Sequence, residues 1–369
     1  MLPTVTRLLL AAGLHALTVA APALAQAPDG GPLTRIAFGS CADEEKPQPI
    51  WRAVLAYQPE LFLFAGDNVY GDVRDGQNLP DAGLIDGLVH AYGQAARIRD
   101  LATLRATVPH LATWDDHDYG KNDAGADFAG KAQAQRLFLQ FWDVPPGDPR
   151  AGREGVYHAE TYGPAGQRVQ VVLLDTRYFR SLLRPTDERG APGKERYLPD
   201  DDPGKTMLGD AQWAWLAERL REPADLRVIV SSIQVLAEGH GWERWGNLPR
   251  ERRRLYDLIA GTGAGGVVFV SGDRHLGGVY REAAGTPYPF VEVTASGLTQ
   301  YFAAADEAGP NRLGAVYGKP NFGTMDVDWW AGEVRLALKD GAGTPVRTHT
   351  VRLDELRLDR PADRPAGGP

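Results

Sequence analysis

Short apolar runs recur along this chain, and each ends in a turn of polar residues. Leu61 to Ala65 (LFLFA) is unbroken and bounded by Pro59 and Gly66, the pattern of a strand buried on both faces. Arg35 to Gly39, His110 to Thr113, Val169 to Leu174, Arg227 to Ile233 and Val267 to Ser271 are predicted strands of the same kind. Between them, spacing near the helical period predicts helices around 48–57, 81–106, 131–143, 209–222 and 249–260. The fourth has Trp213, Leu216 and Leu220 on one face, as expected of a helix lying on a sheet. From about residue 288 the chain turns strand-rich, with Met325 to Trp330 and Val334 to Leu338 as a late antiparallel pair. No repeat of solenoid period is present.

Residues 1–25 have the composition of a signal peptide. Arg7 supplies the positive start, Leu8 to Ala21 the apolar region, and Ala23-Leu24-Ala25 the small residues before a cleavage site. That run is shorter than the roughly 20 residues a membrane span requires, and no later stretch approaches it. The expected organisation is a signal peptide (1–25), a linker (26–34), one catalytic domain (35–355) and a disordered tail (356–369). The predicted location is periplasmic or extracellular.

The chain has 369 residues and a formal net charge of −8, which argues against a general polyanion binder and specific nucleic-acid binding. Its one cysteine, Cys41, cannot form an internal disulfide. Cys41 is either a small buried apolar side chain or a metal ligand, and its surroundings must decide.

Six predicted strands end in Cys, Asp, His, Gln or Arg, and α/β folds place ligands at the carboxyl ends of strands. If Asp67, Asp116 and Asp273 converge, each close pair repels by about 4 kcal/mol at about 4 Å and an effective dielectric of roughly 20. Cations between them would relieve that repulsion. A thiol at Cys41 and a phenol at Tyr70 suit the same setting as anionic donors, and a phenolate beside carboxylates suggests ferric iron. His90, His110, His158, His240 and His349 read as ordinary polar or partly buried residues. The glycine-rich segment 261–266 precedes a strand, so it is not a nucleotide loop.

GSC at 39–41, GDNVYGD at 66–72, WDDHDYGKND at 114–123, LLDTRYFR at 173–180 and GDRH at 272–275 together resemble the PhoD-like alkaline phosphatases, within the calcineurin-like metallophosphoesterases. The ordered set covers roughly residues 35 to 300. The resemblance implies an α/β four-layer sandwich, two mixed β-sheets face to face flanked by helices. The β-sandwich that some members carry ahead of the catalytic domain is not expected, because the first strand follows a short linker.

The resemblance further implies that Cys41, Asp67, Tyr70 and Asp273 hold a first metal, Fe3+, with Asp67 bridging to a second, Ca2+, held by Asp116 and His275. Zn2+ or Mn2+ are the alternatives. His117 takes the place of the histidine that contacts phosphoryl and leaving oxygens, and Asn122 approaches the second metal or the phosphate. Asp118 is either a further site residue or the partner that orients His117. Arg177 either grips phosphate or forms a structural ion pair. Gln234 stands where many metallophosphoesterases have a metal-binding histidine, and Glu243 stands where the family pattern leads one to expect Asp.

The function so implied is a metal-dependent phosphomonoesterase or phosphodiesterase that uses a metal-activated water on a small-molecule or polymeric phosphoester. Two other classes stay open on the residues alone: a thiol hydrolase with Cys41 as nucleophile, and a non-catalytic calcium-binding surface protein. Substrate preference and oligomeric state are not encoded legibly. Loops 72–95, 178–207 and 237–248 are expected to shape the entrance.

Overall fold

The computed structural model describes residues 30–307 and 309–358; the signal-peptide region, most of the linker, and residues 359–369 of the tail lie outside them. Twelve principal strands form two six-stranded sheets. The first sheet contains β1 (Arg35–Gly39), β2 (Leu61–Ala65), β3 (His110–Thr113), β10 (Asn321–Asp328), β11 (Glu333–Asp340) and β12 (Pro345–Arg352). Their order is β12-β11-β10-β1-β2-β3, with β1, β2 and β3 parallel and the rest antiparallel.

The second sheet contains β4 (His158–Tyr162), β5 (Val169–Leu173), β6 (Leu226–Ser231), β7 (Val267–Ser271), β8 (Gly277–Glu282) and β9 (Phe290–Ala295). Their order is β8-β9-β7-β6-β5-β4, with β5, β6, β7 and β9 parallel and the edge strands β4 and β8 antiparallel. Sequence periodicity did not single out the edge strands β4, β8 and β12; β4 and β12 are half-buried or exposed over most of their length, whereas β8 is buried over Gly277–Tyr280 but opens with two glycines.

The period of two along a strand sorts the core. Ile36, Phe38, Leu61, Leu63 and Ala65 pack into the cluster shared with the second sheet. The alternate residues Ala37, Phe62 and Phe64 face helices α1 (Ile50–Tyr57), α2 (Leu84–Ala95), α3 (Arg99–Thr107) and α5 (Lys131–Phe141). On the second sheet, Trp213, Leu216 and Leu220 of α6 (Gly209–Leu220) and Leu255 and Ile259 of α7 (Pro249–Thr262) join the shared cluster. The result is helices, sheet, sheet, helices. The long helix predicted over 81–106 is in fact a short 3-10 turn followed by α2 and α3, broken before Arg99 where Ile98 is extended. At the other end, Leu356 is fully buried and its carbonyl accepts from Gly266 N at 2.6 Å. The packed chain therefore runs past the boundary expected for the tail.

Parallel pairing brings the carboxyl ends of β1, β2 and β3 to one edge, and those of β5, β6 and β7 to one edge of the partner sheet. There the two sheets touch: Thr113 Oγ1 donates to the Leu174 carbonyl at 2.8 Å. Gly66 has φ +98°, and a Cβ on it would lie 2.6 Å from Asp115 Cβ and 3.0 Å from Ser232 Cβ. Only glycine permits both that backbone and that approach. Gly66→Ala is therefore expected to lower stability by about 1–3 kcal/mol, the range for overpacking a close contact. Urea unfolding at fixed metal content measures it, and an unchanged midpoint would contradict the account.

Candidate metal centre

At the meeting edge, loops after four strand ends bring acidic, thiol, phenol and imidazole groups together. Among the described residues, eight non-glycines adopt positive φ, and four of these are Cys41 (64°), Asp67 (50°), Asp273 (69°) and His275 (53°). Left-handed backbone is costly for such residues and collects at functional sites. It turns each strand end sharply, so that the side chain is directed back over the sheet edge.

Asp67 is the hub. Its Oδ2 accepts from Cys41 Sγ at 3.4 Å and from Tyr70 Oη at 3.3 Å. Its Oδ1 accepts from the backbone N of His117 at 3.3 Å. Tyr70 Oη also lies 3.0 Å from His275 Nε2. Donor atoms of Cys41, Asp67 and His275 fall within 4.8 Å of one another, as do those of Asp67, Asp116 and His117, and those of Asp115, Asp116 and Asp273. In these groups His275 falls with Cys41 and Asp67, and Asp273 with Asp115 and Asp116. Both residues occupy left-handed backbone two positions apart, which a motif does not reveal.

The electrostatics are those of a cation site. Burial, then the charge of Asp116, pushes the Asp67 carboxyl well above its ordinary range. Burial, then Asp67, does the same to the Cys41 thiol. Burial, then Cys41 and Asp67, raises the Tyr70 phenol. Burial also raises Asp273, against the opposing charge of Arg274. Asp116 goes the other way: burial opposes ionisation, but His117 and Arg177 hold it below the usual range.

Buried Asp116 Oδ1 and Asp273 Oδ2 accept no hydrogen bond among the described residues. Their nearest guanidinium nitrogens, on Arg177 and Arg274, stand 3.8 and 3.9 Å away. Unsatisfied buried carboxylate oxygens are costly. Together with the thiol–phenol–carboxylate donor set, they fit bound cations.

His117 lies on the one-turn helix α4 (Asp116–Tyr119), and its Nδ1 is held by Asp72 Oδ1 at 2.5 Å. Burial disfavours its charge, but Asp116, Asp67 and Asp72 outweigh that and raise its pKa well above the ordinary value. Asp72, which sequence reasoning left without a role, is therefore the partner of His117. Asp118 is not: it accepts from Asp115 N at 2.6 Å, Asp67 N at 3.1 Å and Asn68 Nδ2 at 2.5 Å, fixing the Asp67 turn to α4. The WDDHD spelling could not separate these two aspartates, because Asp72 comes from another loop. Asn122 is exposed beside this pair, its backbone N donating to Asp72 Oδ2 at 2.8 Å.

Of the two roles open to Arg177, the structure shows the ion pair: it is fully buried, with Nε on Asp115 Oδ1 at 2.6 Å and Nη2 on Glu243 Oε2 at 2.7 Å. Arg180 adds a second guanidinium on Glu243 at 2.7 Å. Asp175 is likewise structural, accepting from the backbone N of Val156, Arg177 and Tyr178 at 2.9 Å each.

Gln234 turns away from the donor cluster into a buried polar chain. Its Nε2 donates to Thr294 Oγ1 at 2.9 Å and Tyr280 Oη at 3.0 Å, and its Oε1 lies 3.0 Å from His240 Nε2. His240 Nδ1 accepts from Trp242 N at 3.2 Å, so Nε2 carries the proton. Glu243 does approach the centre, within 4.8 Å of Asp116 and Asp123 by donor atoms. Asp123 and Ser296 were also missed; Ser296 Oγ lies 3.0 Å from Cys41 Sγ and accepts from His275 N at 2.7 Å.

Two mixed sheets face to face, with donors converging at their parallel strand ends, define a metallophosphoesterase sandwich. The solved structure of PhoD aligns with a TM-score of 0.65 at 18% identity, over 89% of this chain and 70% of that one. Purple acid phosphatase PPD1 from yellow lupin (Lupinus luteus) seeds aligns with a TM-score of 0.55 at 12% identity, over 87% and 54%. The PhoD-like phosphatase profile matches residues 36–311, and the chain belongs to that family. Alkaline phosphatase D of Bacillus subtilis (strain 168) is 23% identical over 276 residues, 66% of this chain and 46% of that protein, so the match spans about half of the relative's length.

Two outcomes follow from this geometry. Arg177→Met leaves Asp115 and Glu243 short of a buried cation and should cost about 3–5 kcal/mol in chemical unfolding; a folded variant of wild-type stability would return Arg177 to the substrate. Metal added to the metal-free protein should release protons, because the raised thiol, phenol and carboxyls hold theirs until displaced. Affinity should therefore rise with pH, and calorimetry in buffers of different ionisation enthalpy reads the proton count. Binding without proton release would contradict the assignment.

Proposed function

We propose that the chain is an exported metal-dependent phosphoester hydrolase, acting on phosphomonoesters, phosphodiesters or both in the periplasm or outside the cell. The observation that carries this reading is the convergence of Cys41, Asp67, Tyr70, Asp116, Asp273 and His275 around buried carboxylate oxygens that lack hydrogen-bond donors. Fe3+ and Ca2+ are the proposed ions, with Zn2+ or Mn2+ as alternatives. Cys41, Asp67, Tyr70 and His275 would hold the one, and Asp67, Asp116 and Asp273 the other.

Bound there, the cations supply Lewis-acid activation of water and neutralise phosphoryl charge. The protein's own part falls to the His117–Asp72 pair. Asp72 fixes Nδ1 and leaves Nε2 to donate to a phosphoryl oxygen and to pass a proton to the leaving oxygen. Asn122, exposed at the same rim, is proposed to contact the phosphate. Membership of the PhoD-like family supports the reaction class. No helix among the described residues is long and apolar enough to cross a membrane.

A thiol mechanism finds no support. Cys41 is fully buried, its thiol is raised by burial and by Asp67, and its sulfur is engaged by Asp67, Ser296 and Ser40. A nucleophilic cysteine needs access and a depressed pKa.

The test is elemental analysis of the purified protein with turnover of p-nitrophenyl phosphate and its bis ester. Chelation should abolish turnover and Ca2+ with Fe3+ should restore it best; full activity in verified metal-free protein would overturn the proposal. His117→Ala should lower kcat by about 10²–10⁴-fold at near-normal metal content. Asp72→Asn should lower it by about 10–100-fold, the range for an orienting partner. Loss of bound metal in either variant would make His117 a ligand instead.

A further inference from the structure

A segment with no role in the sequence motifs is fastened across the mouth of the centre. Thr299 N and Gln300 N donate to the Cys41 carbonyl at 2.9 and 3.1 Å, and Phe302 N donates to the His275 carbonyl at 2.8 Å. Thr299 Oγ1 accepts from Asp43 N at 2.7 Å, closing the same loop from the other side. Residues 299–302 are therefore tied to two of the loops that carry candidate ligands, those of Cys41 and His275, and cannot shift without moving them.

The strap presents aromatic surface. Phe302 packs on His275 with ring centroids 4.9 Å apart, tilted by 58°, yet Phe302 is 52% exposed and its neighbour Tyr301 43%. Scattered exposed apolar residues need no explanation. A ring held at fixed distance from the reacting centre, with half its surface open, is a different case. Other rings near the centre are engaged: Tyr70 is buried on Asp67 and His275, the Tyr197 hydroxyl donates to Asp123, and the guanidiniums of Arg274 and Arg196 stand over the Trp242 ring at 5.0 and 5.5 Å. Phe302 is the ring with open surface, and Lys46, paired with Asp43, is hydrogen-bonded to Gln300 on the same strap.

We propose that Phe302, flanked by Tyr301, is a specificity-determining surface that receives the organic group of the phosphoester and favours planar ring systems over small polyols. The inference rests on the phosphoesterase reading of the site. Its physical basis is the stacked or edge-on packing of a planar group against a ring already positioned, with the ordering cost met in folding. Aryl groups and nucleobases share that chemistry, and they differ in how far the ring stands from phosphorus.

The experiment compares kcat/KM for phenyl phosphate, adenosine 5′-monophosphate and glycerol phosphate in the metal-loaded wild type, Phe302→Ala and Phe302→Trp. Phe302→Ala should reduce the phenyl-to-glycerol preference about tenfold, chiefly through KM, and Phe302→Trp should restore it. A parallel fall in the adenosine-to-glycerol preference supports a surface that also reaches a nucleobase. A fall with phenyl phosphate alone supports one confined to rings on the ester oxygen. Binding of phenylphosphonate and methylphosphonate, read by calorimetry, should lose its phenyl advantage in Phe302→Ala. An unchanged preference in an alanine variant of normal metal content and Tm overturns the inference. If the wild type turns over no ester but binds phenylphosphonate through Phe302, the hydrolase reading falls and the recognition surface stands. If neither turnover nor ring-dependent binding is found, both fall.

Discussion

The crowding of carboxylates where two sheets meet is the constraint on which the rest of the structure depends. Asp67, Asp115, Asp116, Asp118, Asp273 and Glu243 all come together there; five of the six are no more than 2% exposed, and burial raises the carboxyl pKa of the sixth, Asp273. Close pairs at such spacing repel by roughly 4 kcal/mol each at an effective dielectric of about 20. The protein answers in two ways. On the inner side it inserts Arg177 and Arg180 as fixed counter-charges to Asp115 and Glu243. It also leaves Asp116 Oδ1 and Asp273 Oδ2, and Asp115 Oδ2 with them, without hydrogen-bond donors among the described residues, which is where mobile cations have a purpose.

That division explains why apparently equivalent acids behave differently. Asp115 and Asp116 are adjacent, yet Asp115 is locked by Arg177 Nε and Ser232 Oγ at 2.6 Å each. Asp116 is approached by the same guanidinium only at 3.8 Å, while each of the two keeps one oxygen without a donor among the described residues, Asp115 Oδ2 and Asp116 Oδ1. Asp118, one turn further, serves as the reciprocal cap that closes α4 with Asp115. The short helix therefore does two jobs: it fixes the Asp67 turn below, and it presents His117 above with Nδ1 anchored on Asp72. Charge, backbone and orientation are coupled through a few residues.

Strain supplies the remaining precision. Left-handed backbone at Cys41, Asp67, Asp273 and His275 is unfavourable for each residue alone. It is held because the loops are cross-tied: Ala42 N to the Asp67 carbonyl at 2.9 Å, Gly272 N to the Ser232 carbonyl at 2.9 Å, Thr299 N to the Cys41 carbonyl at 2.9 Å. These ties run between strands far apart in sequence, so the donor cluster is a property of the assembled sheet edge. The strap carrying Phe302 belongs to the same lattice of ties, which makes its ring part of the site's fixed geometry.

The apolar runs were enough to determine the central strands, since a segment such as LFLFA has no stable arrangement except burial on both faces. The motifs at the polar strand endings, through their resemblance to the PhoD-like family, implied the fold class and the family, and they named several of the residues that gather at the edge, though not Asp72, Asp123 or Ser296. Only the tertiary structure decided which of those residues face one another. Edge strands β4 and β12 carry mixed patterns because much of their surface meets water, so periodicity could not announce them. Arg177 reads equally as a phosphate-binding arginine or a structural ion pair until its burial against Asp115 and Glu243 is known, because charge alone does not say which side of the cluster it occupies. Gln234 could not be read as bonded to Tyr280 and Thr294, nor Asp72 as the partner of His117, since each pairing joins elements far apart in the chain. A motif fixes what lies within a few residues of itself; contacts across two sheets depend on register, turn handedness and packing, which only the folded chain sets.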